Sequence, residues 1–160
     1  MEIKQLAKKY EDSRLNQAKG IFAQLNIIQN LLQTTFDKTY GVVTLKQFML
    51  MIMVKQSTEF NEELTLTDYG RLLGCSRQNI KKLAIQLETK NFVTVKQSKH
   101  DPRALAIESR KELHKYFKEV NQENNEILLK LFSIYNDKEL GMLYKLLDKL
   151  HEGIELINEK

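Results

Sequence analysis

Between Ser76 and Lys82 the chain reads SRQNIKK, so that Arg77, Gln78, Asn79, Lys81 and Lys82 offer donors, acceptors and positive charge within one short stretch. An arginine fork matches the O6/N7 edge of guanine, and a Gln or Asn amide matches the N6/N7 edge of adenine. A helix that presents such residues from its first turns can therefore read base edges in a major groove. Taken alone, the same face is equally a solvated helix surface. Other chemistry is not suggested. His100, His114 and His151 are far apart and none has a histidine four residues away, so no metal is assigned, although His100 could touch a phosphate. Glycine-rich phosphate loops and a G-x-S-x-G elbow are missing, and the sequence reads as that of a non-enzyme without a cofactor. The single cysteine, Cys75, excludes an internal disulfide and reads as a small buried residue, with a redox switch as the alternative.

Those reading residues need a helix under them. Ile80, Leu83, Ala84 and Leu87 recur at i, i+3, i+4 and i+7, which predicts one stripe against a core and places Gln78 and Lys82 on the opposite face. Ser76 is the expected N-cap, and Gly74 the residue that turns the chain with φ > 0. A shorter helix should precede it, capped by Thr67 with Asp68 behind, and turning Leu72 and Leu73 inward. After it, Asn91 ends the helix in the left-handed conformation. Phe92 to Val95 then alternates like a strand, Ser98 to Arg103 makes a turn, and Leu105-Ala106-Ile107 returns. From Leu64 to Ile107 this is a helix-turn-helix followed by a basic hairpin, or wing.

The run LGCSRQNIKKLAIQLETKNFV, with the preceding LT and the following DPRA, resembles the MarR (multiple antibiotic resistance regulator) family of bacterial transcription factors, over nearly the whole chain. The resemblance implies that Arg103 enters a minor groove, where narrow A·T segments attract arginine, and that Asp101 shapes the wing tip through an ion pair. The chain departs from the family pattern at Asn91, where glycine is usual, and at Gly70, where alanine is common. It also lacks the Leu-Thr pair that often opens the next helix, near Glu108-Ser109. Redox-sensing relatives carry their reactive cysteine in the first helix, which here has none.

Composition agrees with a soluble globular chain: 160 residues, 42% hydrophobic and 29% charged, with no apolar run long enough to span a bilayer and no signal-peptide core. A cytoplasmic protein without membrane contact is expected. The formal net charge is +4, yet between Leu64 and Ile107 eight Lys and Arg face three acids, an excess of five that leaves the remainder at −1. The cationic surplus is thus confined to the proposed reader, as phosphate contacts require. Ser76, Lys81 and Lys99 are the expected phosphate contacts, and Arg77, Gln78, Asn79 and Lys82 the major-groove readers.

The flanks read as helices. Residues 1 to about 10 should be a frayed helix start, followed from Asp12 or Ser13 by a long amphipathic helix that Tyr40-Gly41 stops. Thr44 and Gln47 form a capping box for an apolar, methionine-rich helix, and Ser57 to Glu63 a polar loop. Leu64-Thr65-Leu66 reads as a short strand pairing with the wing. Ser109 and Glu112 suggest another capping box, opening a long helix with a break at NQENN. Asn136 or Asp137 caps a last helix with Leu140, Leu143, Leu147, Leu150, Ile154 and Ile157 in register.

The expected fold class is mainly α with a small β wing. One MarR-like domain over 1–160 would hold a DNA-binding unit at 44–107 and dimerisation helices at 1–40 and 109–160. Those long apolar helices need a further surface to cover them, for which two-fold pairing is the simplest solution. Two readers would then meet successive major grooves of a pseudo-palindromic operator. The expected function is a ligand-responsive repressor. The resemblance also implies a small aromatic effector, for which Phe22, Met49 and Met53 are the candidate contacts. A small-molecule or redox sensor, or a winged-helix protein-interaction module with little DNA specificity, is the alternative.

Overall fold

The computed structural model of the chain describes residue 10 and residues 12–159. The expected frayed start at residues 1–9 lies outside them. Six helices and a hairpin follow in the order α1 (Arg14–Tyr40), α2 (Leu45–Glu59), α3 (Leu66–Leu73), α4 (Arg77–Thr89), β1 (Val93–Gln97), β2 (Leu105–Ser109), α5 (Lys111–Phe132) and α6 (Asp137–Asn158). The fold is mainly helical with one small antiparallel sheet, as expected. The chain forms two compact units, the first ending at His114 and the second running from Lys115.

The first unit holds the core. Leu50, Met51 and Val54 of α2 meet Leu66 and Tyr69 of α3, Ile80, Ala84 and Leu87 of α4, and Val93, Ala106 and Leu113, all fully buried or nearly so. The polar end of Tyr69 is satisfied inside this core by Ser57, whose Oγ lies 2.7 Å from the phenol oxygen. Burial pushes the Tyr69 hydroxyl above its ordinary value.

Side-chain caps set most helix starts. Ser13 caps α1, and φ at Gly41 is +52° where that helix stops. Thr44 and Gln47 form the expected capping box of α2. The Gln47 side chain also donates to Gln86 Oε1 (2.9 Å) and accepts from Lys90 Nζ (3.3 Å), tying the start of α2 to the end of α4.

Helix α3 departs from expectation. Its cap is Thr65, in a reciprocal box with Asp68, rather than Thr67, so the helix starts at Leu66. Leu66, Tyr69, Gly70 and Leu73 then fall at i, i+3, i+4 and i+7, and Leu72 is rotated outward and 59% exposed. The strand expected at Leu64 to Leu66 is reduced to one bridge, Thr65 to Ala106, because the helix claims the following backbone. The polar segment from Ser57 is helical as far as Glu59, and Asn61 turns the chain with φ of +54°.

Strand β1 pairs with β2 in a register that sets Val95 opposite Ile107 and Val93 opposite Ser109. Pairing up to Ser109 removes it from the capping role expected with Glu112. Its hydroxyl instead accepts from Thr58 Oγ1 (3.0 Å) and lies 3.1 Å from His114 Nε2. Helix α5 is continuous through the NQENN segment, without the expected break.

In the second unit Asn136 and Glu139 cap α6 reciprocally. None of its residues is buried: Leu140, Leu147, Leu150, Ile154 and Ile157 are all exposed.

Candidate nucleic-acid interface

Helix α4 is held by its apolar stripe and by both ends. Gly74 takes φ of +61°, the left-handed conformation that closes α3, and the Cys75 amide donates to the Gly70 carbonyl (2.8 Å). Ser76 then accepts from the Asn79 amide (3.2 Å) as the N-cap. At the far end Asn91 takes φ of +63°, and the Phe92 amide donates to the Leu87 carbonyl (3.0 Å).

With Ile80, Ala84 and Leu87 fully inward, Arg77, Gln78, Asn79, Lys81 and Lys82 are all exposed. The amides of the first turn, the Ser76 hydroxyl and these side chains lie together at the positive end of the helix, an arrangement suited to anionic oxygens. No carboxylate stands in that turn.

The wing carries the second group. Lys99, Asp101 and Arg103 are exposed in the turn between β1 and β2. Asp101 makes no ion pair among the described residues, contrary to the expectation. Its Oδ1 accepts instead from the backbone amide of Arg103 (2.9 Å), and its carbonyl from the amide of Ala104 (2.9 Å). A short side chain two residues upstream closes this turn better than a long guanidinium folded back would, and it leaves the Arg103 side chain free to point outward.

Two carboxylates that the sequence did not single out hold the wing. Glu88 of α4 accepts from the Val95 amide (2.8 Å), fastening β1 to the reading helix. Glu63, in the loop after α2, accepts from Ser98 Oγ and from the Lys99 amide, both at 2.7 Å. The Ser98 hydrogen bond is the main reason that the Glu63 carboxyl titrates below its ordinary value. Neither pairing has a local sequence signal, since each depends on where a hairpin folds back.

Of the three expected effector contacts, Met49 lines a cavity. A cavity of about 210 Å³ is lined by Gln29 and Gln33 of α1, Leu45, Lys46 and Met49 of α2, Leu73, Cys75 and Leu83. Met49 belongs to it, whereas Phe22 and Met53 do not. Phe22 precedes Gln29 by two helical turns, roughly 10 Å along the axis, and is 72% exposed. Met53 lies a further turn along α2 and is half-buried. Cys75 is half-buried, with its thiol donating to the Leu73 carbonyl (3.4 Å). Among the described residues no cluster of His, Cys, Asp or Glu is placed to hold a metal, and no helix is long and apolar enough to cross a membrane.

No protein-family model matches the chain. A crystal structure of a MarR/EmrR family transcriptional regulator from Acinetobacter sp. ADP1 superposes with a TM-score of 0.72 at 17% identity, covering 87% of this chain and 97% of that one. The fold is that of the MarR regulators. A second structure with the MarR fold, the S. aureus MepR–DNA complex, matches with a TM-score of 0.70 at 16% identity over 82% of this chain and 96% of that one. In sequence, the chain is 22% identical over 132 residues to the transcriptional repressor MprA of Escherichia coli K12, covering 82% of this chain and 75% of that protein. These relatives are transcription regulators rather than enzymes.

Proposed function

We propose that this chain is a MarR-family transcription regulator, a cytoplasmic repressor that binds a pseudo-palindromic duplex as a homodimer. One observation carries the reading: the first two turns of α4 expose Arg77, Gln78, Asn79, Lys81 and Lys82 on the side away from the buried Ile80, Ala84 and Leu87. Arg77, Gln78, Asn79 and Lys82 meet base edges in the major groove, and Ser76, Lys81 and Lys99 meet phosphate. Arg103 enters the adjacent minor groove from a turn that Asp101 closes. The 22% identity to a transcriptional repressor supports the direction of control.

The homodimer reading is supported by α6, which carries a leucine and isoleucine repeat and buries none of it within the chain. Burying such surface contributes roughly 25 cal/mol per Å². Two copies related by a two-fold axis set their reading helices about 34–36 Å apart, one turn of duplex. The effector reading is supported by the cavity beside Met49. It is walled by α1, α2, Leu73 and Leu83, so a small aromatic ligand there would touch both the long helix and the reader.

Selection from a pool of random duplexes tests the function. The expected result is an enriched inverted repeat, with Gln78→Ala relaxing the preference at one position of each half-site by about 1–3 kcal/mol. A pool without enrichment overturns it and favours a protein-interaction module.

A further inference from the structure

The hairpin turn from Ser98 to Ala104 projects beyond the β1–β2 ladder, yet most of its amides are satisfied by side chains. Ser98 is buried, at 7% exposure, and its Oγ accepts from the amides of His100 (3.1 Å) and Asp101 (3.3 Å). Asp101 in turn accepts from the Arg103 amide (2.9 Å). The Ser98 hydroxyl spends its own proton on Glu63 Oε1 (2.7 Å), and the same oxygen accepts from the Lys99 amide (2.7 Å). A continuous hydrogen-bonded chain thus runs from Glu63 through Ser98 and Asp101 to the backbone of Arg103. Glu63 is the member of that chain that comes from outside the wing. It stands two residues before Thr65, which caps α3 and bridges Ala106 of β2.

A carboxylate in this place opposes the field that the surrounding cations create for phosphate, so it weakens attraction to DNA unless it does something else. What it does is fix a turn. Hydrogen bonds to an ionised acceptor are about twice as strong as neutral ones, and two converge on one oxygen.

We propose that Glu63 is a positioning residue for the wing: by gripping Ser98 Oγ and the Lys99 amide it fixes where Arg103 meets the duplex, and so sets the preference for the base pairs that flank the core site. This role rests on the DNA-reading function proposed above. Arg103 discriminates narrow from wide minor grooves only if its backbone is held at a fixed height. With the grip released, the wing still attracts phosphate through Lys99 and Arg103 but samples many positions over the flank.

Three variants test the proposal, Glu63→Ala, Glu63→Gln and Ser98→Ala, each read by amide hydrogen exchange of the free protein and by binding to duplexes that differ only in the flanks. Glu63→Ala is expected to speed exchange at Lys99, His100, Asp101 and Arg103 while leaving α4 protected. It should lower affinity about tenfold, the equivalent of one charge-assisted contact. Flank preference should flatten, and preference within the core should persist. Ser98→Ala should do the same. A glutamine side chain keeps an oxygen acceptor, so Glu63→Gln should recover most of the protection and the flank preference. Unchanged exchange and unchanged flank preference in Glu63→Ala overturn the proposal. So does a Glu63→Gln variant as defective as Glu63→Ala with α4 also deprotected, which would make Glu63 a general stabiliser. A parent protein without any sequence preference removes the DNA-reading function and this role with it. That failure is recognised because the Glu63-dependent protection of residues 99–103 is intact in the same samples.

Discussion

A Cβ at Gly70 would lie 2.7 Å from the carbonyl oxygen of Cys75, closer than such atoms approach, so this glycine is there for the turn that follows it. Its own carbonyl accepts from the Cys75 amide (2.8 Å), which draws the backbone of the turn down onto α3. Alanine would gain about 1 kcal/mol of helix propensity and lose more by forcing that contact apart, about 1–3 kcal/mol for an overpacked site. Gly70→Ala is therefore expected to lower stability by up to about 2 kcal/mol net. A thermal melt of the variant at or above the parent's midpoint would contradict the close approach. At this departure from the alanine usual in the resembled family, the Cys75 carbonyl thus stands where a Cβ would be. Asn91, a second departure, takes the left-handed φ of +63° that its short polar side chain tolerates. The chemistry of single residues was legible where it depends on neighbours in sequence, as with Ser76 capping Asn79. It was not legible for Glu63 and Ser98, which are 35 positions apart and meet only because the hairpin folds back onto the loop after α2.

At the scale of elements, caps and clasps share one pH response. Asp68 closes the box at the start of α3 and Glu63 holds the wing, and hydrogen bonds to Thr65 and Ser98 respectively keep both carboxyls below their ordinary values of 3.8 and 4.5. A carboxyl whose folded value is depressed stabilises the native state fully above its unfolded value, and that stabilisation is lost as pH falls through the folded one. The thermal midpoint is accordingly expected to hold from neutrality down to about the ordinary carboxyl range and to fall below it. Glu63→Gln should remove part of that dependence, and a variant with the parent's full acid sensitivity would show that the clasp does not contribute. Tyr69 acts at the other end: burial raises its hydroxyl above 10.0, so the stability it carries is complete below that value and declines above it. Element starts were readable because caps use few residue types at fixed offsets. Thr65 was missed for the same reason, since Thr67 beside Asp68 offers the same residue types two positions on. That shift of two residues rotated the inward face and put Leu72 in solvent. The polar NQENN run suggested a break in α5, but five polar residues, all but the half-buried Asn124 exposed, do not end a helix that contains neither glycine nor proline there.

At the scale of the molecule, the positive surplus and the uncovered apolar surface lie in different parts of the chain. The segment from Leu64 to Ile107 carries an excess of five positive charges, whereas α6 carries an apolar repeat and no buried residue. A chain that separates its charge from its unpaired hydrophobic surface can meet DNA with one part and another copy with the other. That division was legible in composition and periodicity, whereas the cavity beside Met49 was not, because its walls come from four helices and the turn at Cys75. The most direct measurement is a groove-resolved footprint on the selected duplex, reading guanine N7 methylation for the major groove and hydroxyl-radical cleavage for the minor groove. The account predicts two protected major-groove segments about one helical turn apart, each flanked by minor-groove protection that Arg103→Ala removes while the major-groove pattern stays. Protection confined to the phosphate backbone with no groove pattern, or minor-groove protection unchanged in Arg103→Ala, would contradict it.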